Sequence, residues 1–382
     1  MQNKKIIFLI PTLGPGGGER VVSELSLNLP DYIKVIIVLF KKEVVYPYRG
    51  KLVSLDLPLS NNFFSRIYYF FLGIYRFKKI IKKEKPDYVI SIDTPANIIN
   101  IILSCKKTII RVDNFISLSP RAVYKFLAKF LYNKASRIIC VSKLLAKDLS
   151  DNFGIKKEKI TVIHNPSNIR EIQRLMLEPI ENKYKDIFQK PTVINIGRLM
   201  EQKGQSHLIR AFREVKNRVN DAQLVILGVG QLEQDLKQLT KDLKLENSVH
   251  FLGWQNNPFK FLIKSKVFVL SSLYEGFGNV LVEAMACGLP VVSVDCKAGP
   301  REILAPDTDI NQEAKDIECY DFGILTPPFN GGKSESILAE AIVKILIDKE
   351  LANKLSQKSK QRANDFDVGR IIKYWDFLGE ML

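Results

Sequence analysis

The chain reads as an α/β protein built from two doubly wound domains, each a mostly parallel sheet with helices on both faces. Short β-branched runs alternate with helix-like patterns from the start of the chain to about residue 165. A polar stretch carrying Pro179 and Pro191 then interrupts them, and the same alternation restarts. At 382 residues and 46% hydrophobic content, the chain exceeds the needs of one such domain and can fill two cores.

In the first half, strands are predicted at 5–11, 34–40, 87–93, 108–113, 137–142 and 160–165. Helix patterns begin near Glu19, Asn62, Pro95 and Pro120, and another follows Ser142, a suitable N-cap. In the second half, strands are predicted at 192–198, 224–228, 249–253, 267–272, 290–295 and 322–328. Helices are expected from His207, Gln231 and Pro258, from Asn279 after a glycine turn, and over 336–348. The expected domains are 1–166 and 190–364, joined by a linker plus a helix at 167–189. Alternation at this rhythm implies parallel pairing with crossover helices. Two such domains set two carboxyl-end crevices face to face, with a ligand expected in the cleft between them.

Composition narrows the class of partner. The five cysteines (Cys105, Cys140, Cys287, Cys296, Cys319) are odd in number and lack CxxC spacing. They point to a reducing compartment and away from a disulfide framework or zinc. The three histidines, His164, His207 and His250, form no HxxxH pair, so no metal is expected. The N-terminal segment has an apolar run of about five residues leading into a Pro/Gly turn, and reads as a first strand rather than a signal peptide.

The net charge of +16 is uneven: residues 1–185 hold 32 Lys+Arg against 15 Asp+Glu, hence +17. Such a field suits nucleic acid or an anionic membrane. No nucleic-acid recognition motif is present, so nucleic acid is not an expected partner. The aromatic, basic segment 61–85 favours the membrane. Its longest uncharged run, Ile67 to Tyr75, is nine residues. That falls far short of the ~20 a spanning helix needs and fits a helix lying in the interface. A second stretch, 120–137, sets Val123, Leu127, Phe130 and Leu131 beside Lys125, Lys129 and Lys134. A core-packed helix with solvated lysines is the alternative for both, and for 120–137 it stands level with the membrane reading.

Three places carry the candidate chemistry. In 275–302, Glu275 and Glu283 stand with seven residues between them, in a strand, glycine turn, helix, strand order. The turn and helix start lie at the carboxyl end of a sheet, where N–H groups and the helix dipole favour phosphate oxygens. A carboxylate there is badly placed for an anion and well placed for sugar hydroxyls. Together these describe a nucleotide-sugar site. In 197–204, Arg198 and Lys203 follow a strand, two cations suited to a diphosphate. In 14–18, Gly14, Gly16, Gly17 and Gly18 precede a helix without forming a GxGxxG or a P-loop.

The 275–302 segment resembles the EX7E signature of retaining GT-B glycosyltransferases, in particular glycosyltransferase family 4. Residues 194–212 are similar to that family's phosphate-binding segment, and the resemblance extends over nearly the whole chain. It implies the GT-B fold, with a terminal helix at about 365–382 packed back on the first domain. It implies that Glu275 holds the transferred sugar and Glu283 the ribose. Backbone at Phe277, Gly278, Asn279 and Val280 would complete the donor site, and Arg198 and Lys203 would neutralise the leaving diphosphate. Gly16 and Gly17 would approach the diphosphate and the acceptor. The segment 249–254 sits where the family places the nucleotide base, which brings His250 and Phe251 into the donor-binding set. Residues 164–166, HNP, resemble the family's domain junction, although Asn165 before Pro166 equally suits a plain turn.

The resemblance further implies a UDP-sugar donor and a polyprenyl-diphosphate-linked saccharide acceptor, both signalled by the GPRE run at 299–302. It implies front-face transfer without a metal or cofactor, in the cytoplasm at the inner face of the plasma membrane. One departure is visible. Where the family often has a histidine, this chain reads RVDNF, so Asp113 or Asn114 takes that place. Two other readings share the fold: a phosphorylase-like enzyme, which needs a Schiff-base lysine, and a catalytically silent sugar- or membrane-binding protein.

Overall fold

The structure, a computed structural model, describes residues 4–58, 62–103 and 108–375. It divides into two compact units. One holds the chain up to Pro166 and takes it back from Val368; the other is Ser167–Asp367.

Unit 1 contains strands β1 (Lys4–Ile10), β2 (Ile33–Leu39), β3 (Lys51–Ser54), β4 (Tyr88–Ile92), β5 (Thr108–Val112), β6 (Arg137–Cys140) and β7 (Ile160–Val162). They form one parallel sheet in the order β3-β2-β1-β4-β5-β6-β7. Helices α1 (Gly17–Asn28), α2 (Phe63–Glu84), α3 (Thr94–Leu103), α4 (Ala122–Leu131) and α5 (Lys143–Phe153) connect them. Alternate residues of β1 serve different cores. Ile6, Phe8 and Ile10 join a cluster with Val21, Val22 and Leu25 of α1, whereas Ile7 and Leu9 join Phe77 of α2 and Ile99 of α3. A strand buried on both faces must be apolar throughout, which is why these strands read as unbroken hydrophobic runs.

Unit 2 opens with two short helices, α6 (Ile169–Leu175) and α7 (Lys185–Phe188). Its strands are β8 (Thr192–Ile196), β9 (Gln223–Leu227), β10 (Val249–Gly253), β11 (Val267–Leu270), β12 (Val291–Val294), β13 (Glu318–Tyr320) and β14 (Gly323–Thr326). The order is β10-β9-β8-β11-β12-β14-β13, parallel except for the β13–β14 pair. Its other helices are α8 (Gln205–Arg218), α9 (Glu233–Asp242), α10 (Phe259–Leu262), α11 (Asn279–Ala286), α12 (Pro300–Leu304), α13 (Ser334–Ile347) and α14 (Lys349–Ala363). Leu208, Ile209, Phe212 and Val215 give α8 one apolar stripe, which meets Leu338, Ile342 and Ile345 of α13 in the core.

Both units are therefore doubly wound, the predicted class, and three details differ from the sequence reading. Residues 167–189, read as a linker with a helix, do carry the helix α6 but are built into unit 2. Asn257 Nδ2 donates to Leu175 O at 2.8 Å, and the rings of Tyr184 and Phe188 each lie 5.8 Å from Phe261. β3 and β13 went unpredicted because each is a short edge strand without a buried apolar face. α14 also went unpredicted: its buried positions are Leu355, Ser359 and Ala363, too small and polar for a hydrophobic stripe. Its start is marked instead by Asp348, which accepts the Leu351 N–H at 2.9 Å.

The chain re-enters unit 1 as α15 (Val368–Ile371), and Ile371 and Trp375 fill the same core cluster as α1. Residues 376–382 of the expected terminal helix lie outside the described residues. So does Cys105, while Cys140, Cys287, Cys296 and Cys319 are unbridged.

Candidate active site

In unit 2 the strand order reverses between β8 and β11, which are neighbours. Connections leaving two such strands diverge to opposite faces, so a crevice opens at their carboxyl ends. The loop after β8 carries Arg198 and Lys203; the loop after β11 carries Ser272 and Glu275. Three hydrogen bonds clamp the loops together. Leu273 N donates to Gln202 O at 2.8 Å, Gln202 Nε2 to Tyr274 O at 2.9 Å, and Ser271 Oγ to Lys203 O at 2.9 Å.

Within this clamp Lys203 Nζ donates to Glu275 Oε1 at 2.7 Å, and Ser272 Oγ donates to the same oxygen at 2.6 Å. Glu275 is only 6% exposed, so its carboxylate is held by these partners rather than by bulk water. Arg198, in the same loop, is exposed. Glu283 lies one turn into α11 and is also buried. Phe277 offers backbone rather than ring: its side chain packs edge-on against Phe366 at 5.4 Å. Gly299 presses on that backbone. At φ +91° it has no room for a side chain, since a Cβ would stand 1.9 Å from Phe277 O. Gly278, Asn279 and Val280 open α11, the end at which a helix presents N–H groups to an anion.

Two sequence expectations do not meet this site. His250 lies near the start of β10, at the opposite end of the sheet, where its Nε2 pairs with Gln223 Oε1 at 2.8 Å. Burial, with Lys190 and Lys216 nearby, pushes its pKa below the usual imidazole value. Phe251 packs its ring on the core of unit 2. The rings of His250 and Phe251 are thus committed elsewhere, whereas the resemblance set the base against backbone groups of 249–254.

The GPRE run also has a structural occupation. Arg301 is 4% exposed; its Nε donates to Asp295 Oδ2 at 3.0 Å and its Nη2 to Glu318 Oε2 at 2.9 Å. It ties the end of β12 to the edge strand β13. Burial pushes the Asp295 carboxyl up, with Arg301 opposing that shift. Removing the guanidinium strands a buried carboxylate, so Arg301→Ala should cost about 3–5 kcal/mol. Urea unfolding would show this as a lowered midpoint. A loss under about 1 kcal/mol would mean that Asp295 has another source of compensation.

Unit 1 has its own reversal point, between β1 and β4. Asp113 follows β5. Its Oδ2 accepts from Arg111 Nη1 at 3.1 Å and lies beside Gly18, where a Cβ would stand 2.9 Å away. Its Oδ1 is buried without a hydrogen-bond partner among the described residues. Burial pushes the Asp113 carboxyl up, and Arg111 acts against that. Arg111 is itself fully buried and also donates to Asn165 Oδ1, so Asn165 does more than shape a turn. Asp93, after β4, has φ +79°, accepts the Thr94 N–H at 2.7 Å, and is likewise raised by burial and by Asp113.

Gly16 caps α1 and Gly17 begins it, yet a Cβ at Gly16 would stand 2.1 Å from Glu19 Oε2. The glycine loop expected to approach the diphosphate thus meets two of the chain's own carboxylates, Glu19 and Asp113. Buried Arg111 stands in the field of both carboxylates and offsets part of their charge.

Sequence reasoning missed Ser272, Gln202, Asp93 and Arg111. An arginine inside the apolar run Thr108–Val112 was the available signal for the last, because a buried charge needs a partner.

A family model described as Glycosyltransferase Family 4 matches residues 15–171, and one described as Glycosyl transferases group 1 matches residues 178–362. An uncharacterised glycosyltransferase of Methanocaldococcus jannaschii is 38% identical, over 80% of this chain and 82% of its own length. A Campylobacter jejuni protein is 30% identical over 97% of this chain and 98% of its own. It is named N-acetylgalactosamine-N,N'-diacetylbacillosaminyl-diphospho-undecaprenol 4-alpha-N-acetylgalactosaminyltransferase. Among solved structures, Anabaena HepE in complex with UDP and glucose superposes with a TM-score of 0.79. The match is 22% identical and covers 99% of this chain and 100% of that one.

Proposed function

The chain belongs to family 4 of the GT-B glycosyltransferases, and from that premise we propose the reaction it performs. It moves a hexose or N-acetylhexosamine from a UDP-sugar to a lipid-linked saccharide, with retention of configuration, in surface polysaccharide or glycan assembly. The observation that carries this is the pairing of Glu275 with Lys203 beside exposed Arg198, at the reversal point of the unit 2 sheet. Cations for a diphosphate and a carboxylate for hydroxyls stand there within one clamp. The name of the Campylobacter relative supports an undecaprenyl-diphosphate-linked acceptor. The HepE complex supports UDP as the nucleotide.

In this reading Arg198, Lys203 and the first turn of α11 stabilise the charge that grows on the departing UDP. Glu275 accepts a hydrogen bond from the transferred sugar and Glu283 from the ribose. Asp113, held at Oδ2 by Arg111, accepts from a sugar hydroxyl. The bond from the anomeric carbon to the phosphate oxygen breaks as the acceptor oxygen attacks the same face. The acceptor proton passes to the departing phosphate, so no separate protein base is needed. No metal or cofactor takes part. The test is a screen of UDP-sugars against polyprenyl-diphosphate saccharides, with and without exhaustive EDTA. Transfer that survives EDTA is expected; complete loss restored by Mn²⁺ or Mg²⁺ would overturn the metal-free mechanism.

In this reading the acceptor's lipid also gives a role to the basic half of the chain, and the enzyme works at the inner face of the plasma membrane. α2 turns Phe70, Ile74, Phe77 and Ile81 toward the core and leaves Tyr68, Phe71 and Tyr75 more than half exposed. Lys79 Nζ sits 4.4 Å from the Tyr75 ring. α4 likewise exposes Val123, Phe126 and Phe130, and α3 touches both helices. Among the described residues no helix is long and apolar enough to cross a membrane. Aromatic rings flanked by lysines suit an anionic interface, at about 1 kcal/mol per cation, weakened by salt. Binding to anionic vesicles is expected, lost in high salt and reduced when Lys78, Lys79, Lys82 and Lys83 are together changed to Glu. Equal binding to neutral and anionic vesicles, or none to either, would argue for a soluble acceptor.

A further inference from the structure

We infer that Ser272 is a positioning residue for sugar transfer, holding Glu275 in place when the donor draws Lys203 away; this rests on the reading of Glu275 as the sugar-holding carboxylate. Ser272 stands just past the end of β11, 1% exposed, with its hydroxyl 2.6 Å from Glu275 Oε1. Lys203 Nζ reaches the same oxygen at 2.7 Å. Oε1 therefore has two donors of different character, and Oε2 is the oxygen left for a sugar hydroxyl.

The two donors respond differently to a diphosphate. An ammonium on a flexible stem is a mobile point charge, and a diphosphate carries more negative charge than one carboxylate. Lys203 thus has a second and stronger anion to answer once UDP-sugar arrives. Its backbone is anchored by Ser271 Oγ at 2.9 Å, so only the side chain needs to swing. A serine hydroxyl has one proton to donate and no charge to be drawn by phosphate. It keeps Oε1 fixed and Oε2 aimed while the lysine moves. Without it, donor binding would free the carboxylate from its remaining anchor at the moment its orientation matters.

The consequence appears only when a sugar is present. Titration calorimetry and steady-state kinetics would compare wild type, Ser272→Ala, Ser272→Thr and Glu275→Ala. The ligands are UDP and whichever of UDP-glucose, UDP-galactose, UDP-N-acetylglucosamine and UDP-N-acetylgalactosamine the wild type turns over fastest. For Ser272→Ala, UDP affinity should stay within about twofold, showing an intact fold. Its kcat/KM should fall about ten- to a hundredfold, the size of one hydrogen bond to a charged group. Ser272→Thr, which keeps the hydroxyl, should recover most of the loss. Equal losses for UDP and UDP-sugar, or kcat/KM within about threefold of wild type while Glu275→Ala is inactive, would overturn the role of Ser272 alone. A fully active Glu275→Ala would instead remove the reading of Glu275 on which it depends.

Discussion

Arg198→Ala and Lys203→Ala should each lower kcat by on the order of 10²–10³, the usual cost of losing one preorganised partner of a developing anion. The two losses have different origins. Arg198 is exposed, so its removal should leave the fold and the Lys203–Glu275 pair intact and act on the leaving diphosphate alone. Lys203→Ala should also leave Glu275 Oε1 with Ser272 as its remaining donor in the clamp. In the free enzyme Glu275 is then less firmly placed before the donor arrives, so KM for UDP-sugar should rise as well as kcat fall, whereas Arg198→Ala should act on kcat. Steady-state kinetics with UDP-sugar would separate them. If either variant keeps more than about half of wild-type kcat, the phosphate role given to that residue is wrong.

The fold was legible because its signals are local and strong. β4 and β11 are buried along their whole length and β1 from Ile6 onward, so their apolar runs stand out from the polar turns around them. The reversal points of the two sheets were not legible. Strand order depends on which crossovers turn back, and the sequence records only that crossovers exist. Placing Lys203 against Glu275 needs β8 and β11 to be neighbours, although 72 residues separate the two side chains.

Residue types carried part of the site and misled in part. Glu275, Arg198 and Lys203 drew notice because charge in loops after strands suggests a ligand. Ser272 did not, since a serine at a strand end is ordinary. His250 drew notice by its place in a motif, yet alternation along β10 and its position at the strand start send its ring to Gln223. Arg301 looked like part of a recognition motif and is a buried structural tie. The glycines at 16–18 looked like an anion loop, and only the packed structure shows Asp113 and Glu19 gathered there.

Loss of Glu275 should have an effect as large, through a different step. Glu275→Ala removes the carboxylate that Ser272 and Lys203 hold, at a position 6% exposed. Lys203 is then free for the diphosphate, so UDP should bind at least as well as to wild type. The sugar loses its acceptor of hydrogen bonds, and turnover should drop by about 10²-fold or more, as when one member of a preorganised constellation is removed. Glu275→Gln keeps the shape but exchanges an anion for an amide, which pairs poorly with Lys203. It should fall between the alanine variant and wild type.

The most direct measurement is transfer of labelled sugar from UDP-sugar to a polyprenyl-diphosphate saccharide, followed side by side for wild type and Glu275→Ala, with UDP binding measured on the same samples. The account predicts a labelled lipid-linked product from the wild type, and almost none from a variant that still binds UDP. Equal product from both proteins would contradict it.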